Sequence, residues 1–290
     1  MDQAEQLRNI IKAGSQKPLA RVIAVTSGKG GVGKSNTAIN LAIQFRKMGQ
    51  RVIILDADFG LANIEIMFGA VPKHNLCDLI YQGKNIREII TWGPMEVGFI
   101  SGGSGIVGMS NLSSDYLSYI IQNLSELDAV ADIIIVDTGA GISEAVLEFL
   151  VASGEILLVT TSEPTSITDS YSLLKVLSRH PRFSPEDSQV KLIANRVYDE
   201  EEGEILFTKL NAVESRYLNL PFSYLGSVPQ DNQLAKAVMQ QLPVSLQNPY
   251  AKSSLAYEAI AAKLMSREVT VKRRGMAAFF SHLISGKKMS

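Results

Sequence analysis

Cysteine is nearly absent from this chain: Cys77 is the one thiol in 290 residues. That excludes an internal disulfide framework and any cluster of cysteine metal ligands. Cys77 reads as a small core residue. Histidine is almost as scarce. His74, His180 and His282 are scattered without metal-ligand spacing, and each reads as a surface or packing residue. No stretch approaches the roughly 18 consecutive apolar residues of a spanning helix. The start, Met1-Asp2-Gln3-Ala4-Glu5-Gln6, has neither the basic nor the apolar region of a secretory signal. Neither sign of charge is in excess. Lys and Arg number 28 against 29 Asp and Glu, for a net charge of −1, so there is no global signal for nucleic acid. Repeats and low-complexity tracts are also missing. These absences point to a cytoplasmic chain whose membrane contact is at most peripheral. At 46% hydrophobic, the chain can bury a substantial core in one or two domains.

Short apolar runs alternate with helical patterns, which predicts an α/β fold: a mostly parallel, doubly wound sheet with helices on both faces. Strands are expected at Val22–Thr26, Val52–Asp56, Val97–Ile100, Ile133–Asp137, Glu155–Thr160, Lys191–Asn195 and Ser223–Val228. Four end beside a polar residue: Asp56, Asp137, Thr160 and Asn195. Ligands of such sheets bind at the carboxyl ends of the strands. Gly14-Ser15-Gln16-Lys17-Pro18 reads as a linker. The expected organisation is an N-terminal segment with linker over 1–18, a main domain over 19–265 and a basic amphipathic tail over 266–290.

Between the first strand and a helical pattern lies Gly28-Lys29-Gly30-Gly31-Val32-Gly33-Lys34-Ser35, followed by Asn36. Strand, glycine-rich loop and helix in this order make a phosphate site. Glycines let backbone N–H groups converge on phosphate oxygens, and the helix N-terminus adds a positive dipole end. Lys34 can reach the β- and γ-phosphates, and the Ser35 hydroxyl can hold Mg²⁺. The additional lysine, Lys29, makes this the deviant Walker A form.

Asp56-Ala57-Asp58 follows the second strand. Mg²⁺ keeps several waters and takes few protein ligands, so Asp56 can hold its hydration shell. Asp58 can orient or deprotonate an attacking water. The run Ile133-Ile134-Ile135-Val136-Asp137 delivers a third carboxylate in the Walker B manner, and Gly139 and Gly141 behind it can follow the loss of a γ-phosphate. A base pocket is less sharply marked. Asn195 can pair with adenine and Arg196 can stack on it. Pro229 and Asp231 can contribute from the other side. All four also read as ordinary loop residues.

Together these motifs resemble the MinD/ParA group of P-loop ATPases over about residues 20–265. The resemblance rests on Lys29 through Ser35, on Asp56-Ala57-Asp58 with Gly60, Leu61 and Asn63, on Asp137 through Gly141, and on Asn195-Arg196. Gly139 departs from the proline typical of MinD itself. At the N-terminus, Asp2-Gln3-Ala4-Glu5-Gln6-Leu7-Arg8 is similar to the DQAxxLR motif of the FlhG (FleN, YlxH) family of flagellar regulators. The resemblance implies an ATPase that uses ATP and Mg²⁺ and dimerises with ATP, with Lys29 reaching the partner subunit's nucleotide. It also implies partners. Asp2, Gln3, Ala4, Leu7 and Arg8 would stimulate an FlhF-type GTPase. Flagellar switch proteins or a flagellar transcription activator would receive the output. The residues alone leave the N-terminal segment open: Ala4, Leu7, Ile10 and Ile11 form one apolar stripe that suits a partner or the chain's own core.

In the tail, Met276, Phe279, Phe280, Leu283 and Ile284 fall on one helical face, flanked by Lys272-Arg273-Arg274 and Lys287-Lys288. That combination predicts reversible binding to an anionic membrane surface, at the inner face of the cell membrane. The alternative is a helix docked on the chain's own core. Direct nucleic-acid binding is not expected of the tail. A DNA-partitioning ATPase of the ParA type is the competing reading of the whole chain, and a metabolic P-loop enzyme with a second substrate is a third.

Overall fold

Each apolar run becomes a strand of one sheet, in a computed structural model that describes residues 19–58, 63–102, 121–218, 220–266 and 275–285. The strands are β1 (Arg21–Ser27), β2 (Val52–Ala57), β3 (Thr91–Trp92), β4 (Gly98–Ser101), β5 (Ile133–Ala140), β6 (Glu155–Thr160), β7 (Gln189–Val197) and β8 (Phe222–Pro229). Their order is β3-β4-β2-β5-β1-β6-β7-β8. Neighbours are parallel except β3, which runs antiparallel to β4. β3 is the strand the sequence does not announce, because two residues are too few to show alternation. β5 outruns its expected end at Asp137. Ala140 pairs with Ser27, and the Gly141 N–H donates to the Ser27 carbonyl at 2.9 Å.

Helices fill the connections: α1 (Lys34–Lys47), α2 (Asn63–Phe68), α3 (Leu76–Gln82), α4 (Ile86–Ile89), α5 (Leu127–Val130), α6 (Glu144–Ser153), α7 (Pro164–Ser178), α8 (Glu200–Tyr217), α9 (Asn232–Met239), α10 (Val244–Gln247), α11 (Lys252–Ser266) and α12 (Gly275–Ser285). Successive strand residues face opposite sides. Ile23 and Val25 of β1, Ile54 of β2 and Ile135 of β5 pack with α1 and α11. Val22, Ile53, Ile134 and Val136 face the other way, toward Phe149 of α6 and the apolar side of α12. Ala24 joins a third cluster, shared with β6, β7, α7 and α8. Helices on both faces explain why the strands read as continuous apolar runs.

The chain leaves β1 toward β2 and β4 on one side, then returns through β5 and fills the other side. The reversal lies beside β1, so the carboxyl ends of β1, β2 and β5 meet at one crevice.

In this single chain the tail takes the alternative left open by its sequence. The apolar stripe packs inward on the chain's own core. Met276, Phe279 and Phe280 are fully buried and Leu283 is 2% exposed; the Ile284 side chain lies outside the described residues. The physical reason is the neighbouring surface. Ala20, Val22, Ile134, Phe149 and Ala152 form an apolar face that solvent would otherwise meet, and the stripe covers it. Full burial of such side chains contributes about 1.5–3 kcal/mol each, as an upper bound. No helix of the described residues is long and apolar enough to cross a membrane.

Candidate phosphate and metal site

The loop after β1 is shaped by two crowded glycines. A Cβ on Gly33 would sit 2.2 Å from Asn195 Nδ2, and its φ of +98° is one that only glycine adopts cheaply. A Cβ on Gly28 would sit 2.3 Å from the Asp169 carbonyl carbon. Gly30 and Gly31 have open space above them instead, which is where phosphate oxygens can approach. α1 starts at Lys34 with no side-chain cap and no acidic residue in its first turn. Its orphan N–H groups and positive dipole end are therefore left for an anion. Ser35 and Asn36 lie in that first turn, and the Asn36 carbonyl accepts from Asn40 Nδ2 at 2.8 Å.

Beneath the loop, Lys34 Nζ donates to Asp137 Oδ1 at 2.9 Å and lies 4.0 Å from Asp58 Oδ2. Asp137 is fully buried, and its other oxygen, Oδ2, has no hydrogen-bond partner among the described residues. Burial pushes the Asp137 carboxyl up, against the pull of Lys34 and the nearby Ser35 hydroxyl. Asp56, one strand over and paired in register with Asp137, is pushed up to about 7, first by burial and then by the Asp137 charge. Two buried carboxylates side by side, one of them paired with a lysine, a spare oxygen and a serine hydroxyl are a donor set that fits a hard divalent cation. Asp58 is half-buried, and its N–H donates to Asp56 Oδ1 at 3.1 Å. The structure thus brings Lys34, Ser35, Asp56, Asp58 and Asp137 into one place.

Lys29 is at the rim. Its ammonium donates to Glu163 Oε2 at 3.0 Å and Thr165 Oγ1 at 2.8 Å, both at the start of α7. Sequence reasoning missed these two residues. Their signal was position: Glu163-Pro164-Thr165 lies just past a strand end, with proline at the first helical position. Below them the hydroxyls of Thr160, Ser166 and Ser170 form a buried chain, with Ser166 at 2.9 Å and Ser170 at 2.8 Å from Thr160.

The expected base residues are placed unevenly. Asn195 Nδ2 donates to the Val32 carbonyl at 2.7 Å, and Arg196, with φ of +57°, donates to the Gly31 carbonyl at 2.8 Å. Both brace the phosphate loop. Asn195 keeps Oδ1 buried and, among the described residues, unpartnered, which leaves one acceptor for a ligand. Asp231 is committed within the chain: it caps α9 through Gln233 N–H at 2.8 Å and takes the N–H and hydroxyl of Ser253 at 3.0 and 2.8 Å. Pro229 ends β8 opposite Val197. Asp2, Gln3, Ala4, Leu7, Arg8, Gly60, Leu61 and the side chain of Asn63 lie outside the described residues.

Known proteins share the sequence and the fold that carry this site. A family model of the ParA group, described as an NUBPL iron-transfer P-loop NTPase, matches residues 18–265. Antiactivator FleN of Pseudomonas aeruginosa is 40% identical over 267 residues, which span 92% of this chain and 94% of that protein. Flagellum site-determining protein YlxH of Helicobacter pylori is 32% identical over 295 residues, spanning 98% of each. Among solved structures, septum site-determining MinD of Pyrococcus horikoshii, complexed with Mg-ADP, superposes with a TM-score of 0.65. It is 21% identical and covers 86% of this chain and 97% of its own, a likeness of fold. Cell division ATPase MinD of Pyrococcus furiosus gives the same TM-score at 21% identity, over 85% of this chain and 99% of its own.

Proposed function

Because the chain belongs to the FleN/YlxH branch of the MinD/ParA family of P-loop NTPases, we propose that it is an ATP-dependent, dimerising switch that regulates flagellar number or placement. The observation that carries this reading is the uncapped start of α1 above the buried Lys34–Asp137 pair. That end of the sheet holds polar groups which the chain itself does not satisfy. An ATP triphosphate supplies the missing anion, and Mg²⁺ the missing cation.

ATP is the substrate. Gly28 through Asn36 cradle its phosphates, and Asn195, Arg196 and Pro229 border its base. Ser35, Asp56 and Asp137 would hold Mg²⁺, whose charge offsets that of the β- and γ-phosphates when bound. Lys34 neutralises charge that develops on the transferred phosphoryl group. Asp58, half-buried beside Lys34, positions the water that attacks the γ-phosphate in line. Lys29 leaves Glu163 and Thr165 and reaches the nucleotide of a second copy. Dimerisation and catalysis are thereby linked to the same phosphate.

The output side follows the relatives' own names, an antiactivator and a site-determining protein. A flagellar transcription activator or flagellar switch proteins receive the ATP dimer. Residues 1–13 stimulate an FlhF-type GTPase. α12 leaves its groove in the dimer, and its apolar stripe with the flanking lysines and arginines binds anionic lipid at the inner face of the membrane. Two helices on one dimer bind far more tightly than one, through effective concentration.

Light scattering behind size-exclusion chromatography tests the reading, with ADP or a non-hydrolysable ATP analogue, with Mg²⁺, and with or without anionic liposomes. The expected result is a monomer in ADP, a dimer in the analogue, and vesicle binding by the dimer. A chain that stays monomeric in the analogue overturns the switch. A dimer that never co-sediments with vesicles overturns the membrane step alone.

A further inference from the structure

α12 is held at three places, and two of them are polar. At its start, Asp128 of α5 accepts the Met276 N–H on both oxygens, at 3.1 and 3.2 Å. The same carboxylate accepts the Ala20 N–H at 3.2 Å. One side chain thus ties the entry to β1 to the entry of α12. The approach is close: a Cβ on Gly275, whose φ is +66°, would sit 2.8 Å from Asp128 Oδ2. In the middle, Phe279 stacks on Phe149 of α6, with ring centroids 6.0 Å apart. Toward the end, Arg182 donates to the His282 carbonyl and pairs with Glu148 of α6. Glu148 is buried, and His180 lies 3.5 Å from it on the other side.

α6 therefore touches the tail directly through Phe149 and indirectly, through Arg182, from Glu148. Its N-terminal end belongs to the phosphate site. Ser143 caps it, accepting the Val146 N–H at 3.4 Å, just beyond the end of β5. Gly139, near the end of β5 past Asp137, lies between Asp58 and α6. A Cβ there would be 3.6 Å from Asp58 Oδ1 and 3.4 Å from Val146 Cγ2. Val146 and Phe149 are one turn apart on one helix face. The helix is ten residues long, about 15 Å at 1.5 Å per residue, so one rigid rod spans from the end of β5 to the tail.

We infer that α6 is a lever: displacement of the end of β5, past Asp137, moves it against α12, and Asp128 and the Glu148–Arg182 pair are the two latches that this movement loads. The inference rests on the switch reading above and names its internal linkage. The polar latches suit the task. Apolar contacts tolerate a small slide, whereas a hydrogen bond weakens steeply once its angle and distance change. Arg182 is the sensitive joint, because its guanidinium touches α6 and α12 at once. A shift of α6 that draws Glu148 away also pulls the donor from the His282 carbonyl. By reciprocity, a loosened latch must in turn favour the nucleotide state that loosens it.

Amide hydrogen exchange over residues 275–285 of the full chain tests this, in ADP and in a non-hydrolysable ATP analogue. The wild type should exchange faster in the analogue, by a factor in the typical coupling range of about 5–150. Arg182→Gln should raise exchange in ADP and bring the ratio between the two states toward one, while β1 and β5 stay protected. The double variant Glu148→Gln with Arg182→Gln removes both charges and keeps the test open if either single variant folds poorly. A purely structural latch raises exchange equally in both states and leaves the ratio intact, which overturns the lever. A wild-type ratio of one overturns it as well. Light scattering on the same samples keeps the two ideas apart: a dimer that forms while the ratio stays at one removes the lever and spares the switch.

Discussion

The sheet carries buried charge at both ends of its strands, and the two ends treat it oppositely. At the amino ends of β1, β6 and β7, Glu155 accepts two hydrogen bonds from Arg21 at 2.7 Å and one from Lys191 at 2.6 Å. Arg21 also donates to the Leu264 carbonyl at the end of α11, at 2.7 Å. Burial pushes the Glu155 carboxyl up, but Arg21 and Lys191 more than offset it, and it falls below the ordinary range. At the carboxyl ends, Asp56 and Asp137 are equally buried. Both are raised, and Asp137 keeps an oxygen unpartnered among the described residues. The same residue types make a closed strut at one end and an open site at the other. What separates them is satisfaction. A buried polar group without a partner is costly, so its presence in a native fold calls for a ligand or a function. The comparison predicts a division of labour: changes at the lower end cost stability, and changes at the upper end cost turnover.

The largest effect belongs to the lower end, where α12 docks near the start of β1. Phe279→Glu with Phe280→Glu puts two carboxylates among fully buried apolar side chains. The loss should consume much of the ~5–15 kcal/mol that holds a typical domain together. Thermal unfolding should start near the growth temperature or the variant should be insoluble. An unchanged midpoint would show that α12 spends its time off the core. Phe279→Ala is the milder form, expected to cost about 3–5 kcal/mol.

Glu155→Ala is next. It strands Arg21 and Lys191 together in the interior, and removing one member of a buried ionic set costs about 3–5 kcal/mol. ATP turnover per folded molecule should not change. The sign of the pH dependence follows from the lowered carboxyl. Its contribution is present above the unfolded value of ~4.3 and is lost as pH falls through the lower folded value. Glu155→Gln should therefore flatten the acid limb of the stability curve. A limb as steep as that of the wild type would remove Glu155 from the account.

At the upper end, Asp58→Ala should leave stability near that of the wild type, because the side chain is half-buried and beside the crevice. It should still bind ATP and dimerise. Hydrolysis should fall roughly 10²–10⁴-fold, the range for a general base. Wild-type phosphate release would take Asp58 out of the mechanism. Asp56→Asn sharpens the contrast further. It removes one of two adjacent buried carboxylates, so the nucleotide-free chain should gain roughly 0.5–2 kcal/mol, as functional-site replacements often do. Calorimetry without nucleotide reads this, and a loss of stability would contradict the picture of an open site.

How far the sequence could be read follows the same division. Strands and phosphate loop were legible because local patterns specify them: continuous apolar runs for strands covered on both faces, and Gly33 with Lys34 at the start of a helix. The stacking of Asp56 beside Asp137 was legible as two strand ends. Glu163 and Thr165 were not, because their role depends on where the side chain of Lys29 turns. The stripe of α12 read as lipid-facing for a related reason. A row of Met276, Phe279, Phe280 and Leu283 states that a helix has an apolar face, and nothing local states what covers it. Here Phe149 and Ala152 do, from more than a hundred residues away. Asp231 shows the converse situation. Its carboxylate at a strand end looked available, but Ser253 and the start of α9 had taken it.

The smallest expected effect lies at the rim, and it probes how the two ends communicate across a dimer. Lys29 is about a third exposed and its partner Glu163 more so. An exposed pair of this kind is worth about 0–1 kcal/mol, so Glu163→Gln should leave the thermal midpoint nearly unmoved. Its consequence should instead appear in the switch. In the single chain Glu163 and Thr165 hold Lys29 back on α7; on the proposed crossing, dimerisation must break that contact first. Weakening the tether should lower the concentration of ATP analogue at which half the chain is dimeric, by at most the ~5-fold that 1 kcal/mol allows. Lys29→Ala should do the opposite, binding nucleotide but not dimerising. The sign of the Glu163→Gln shift decides the matter. A higher analogue concentration for half-dimerisation would mean that Glu163 serves the dimer, receiving the lysine after it crosses, and the single-chain contact would then be no brake.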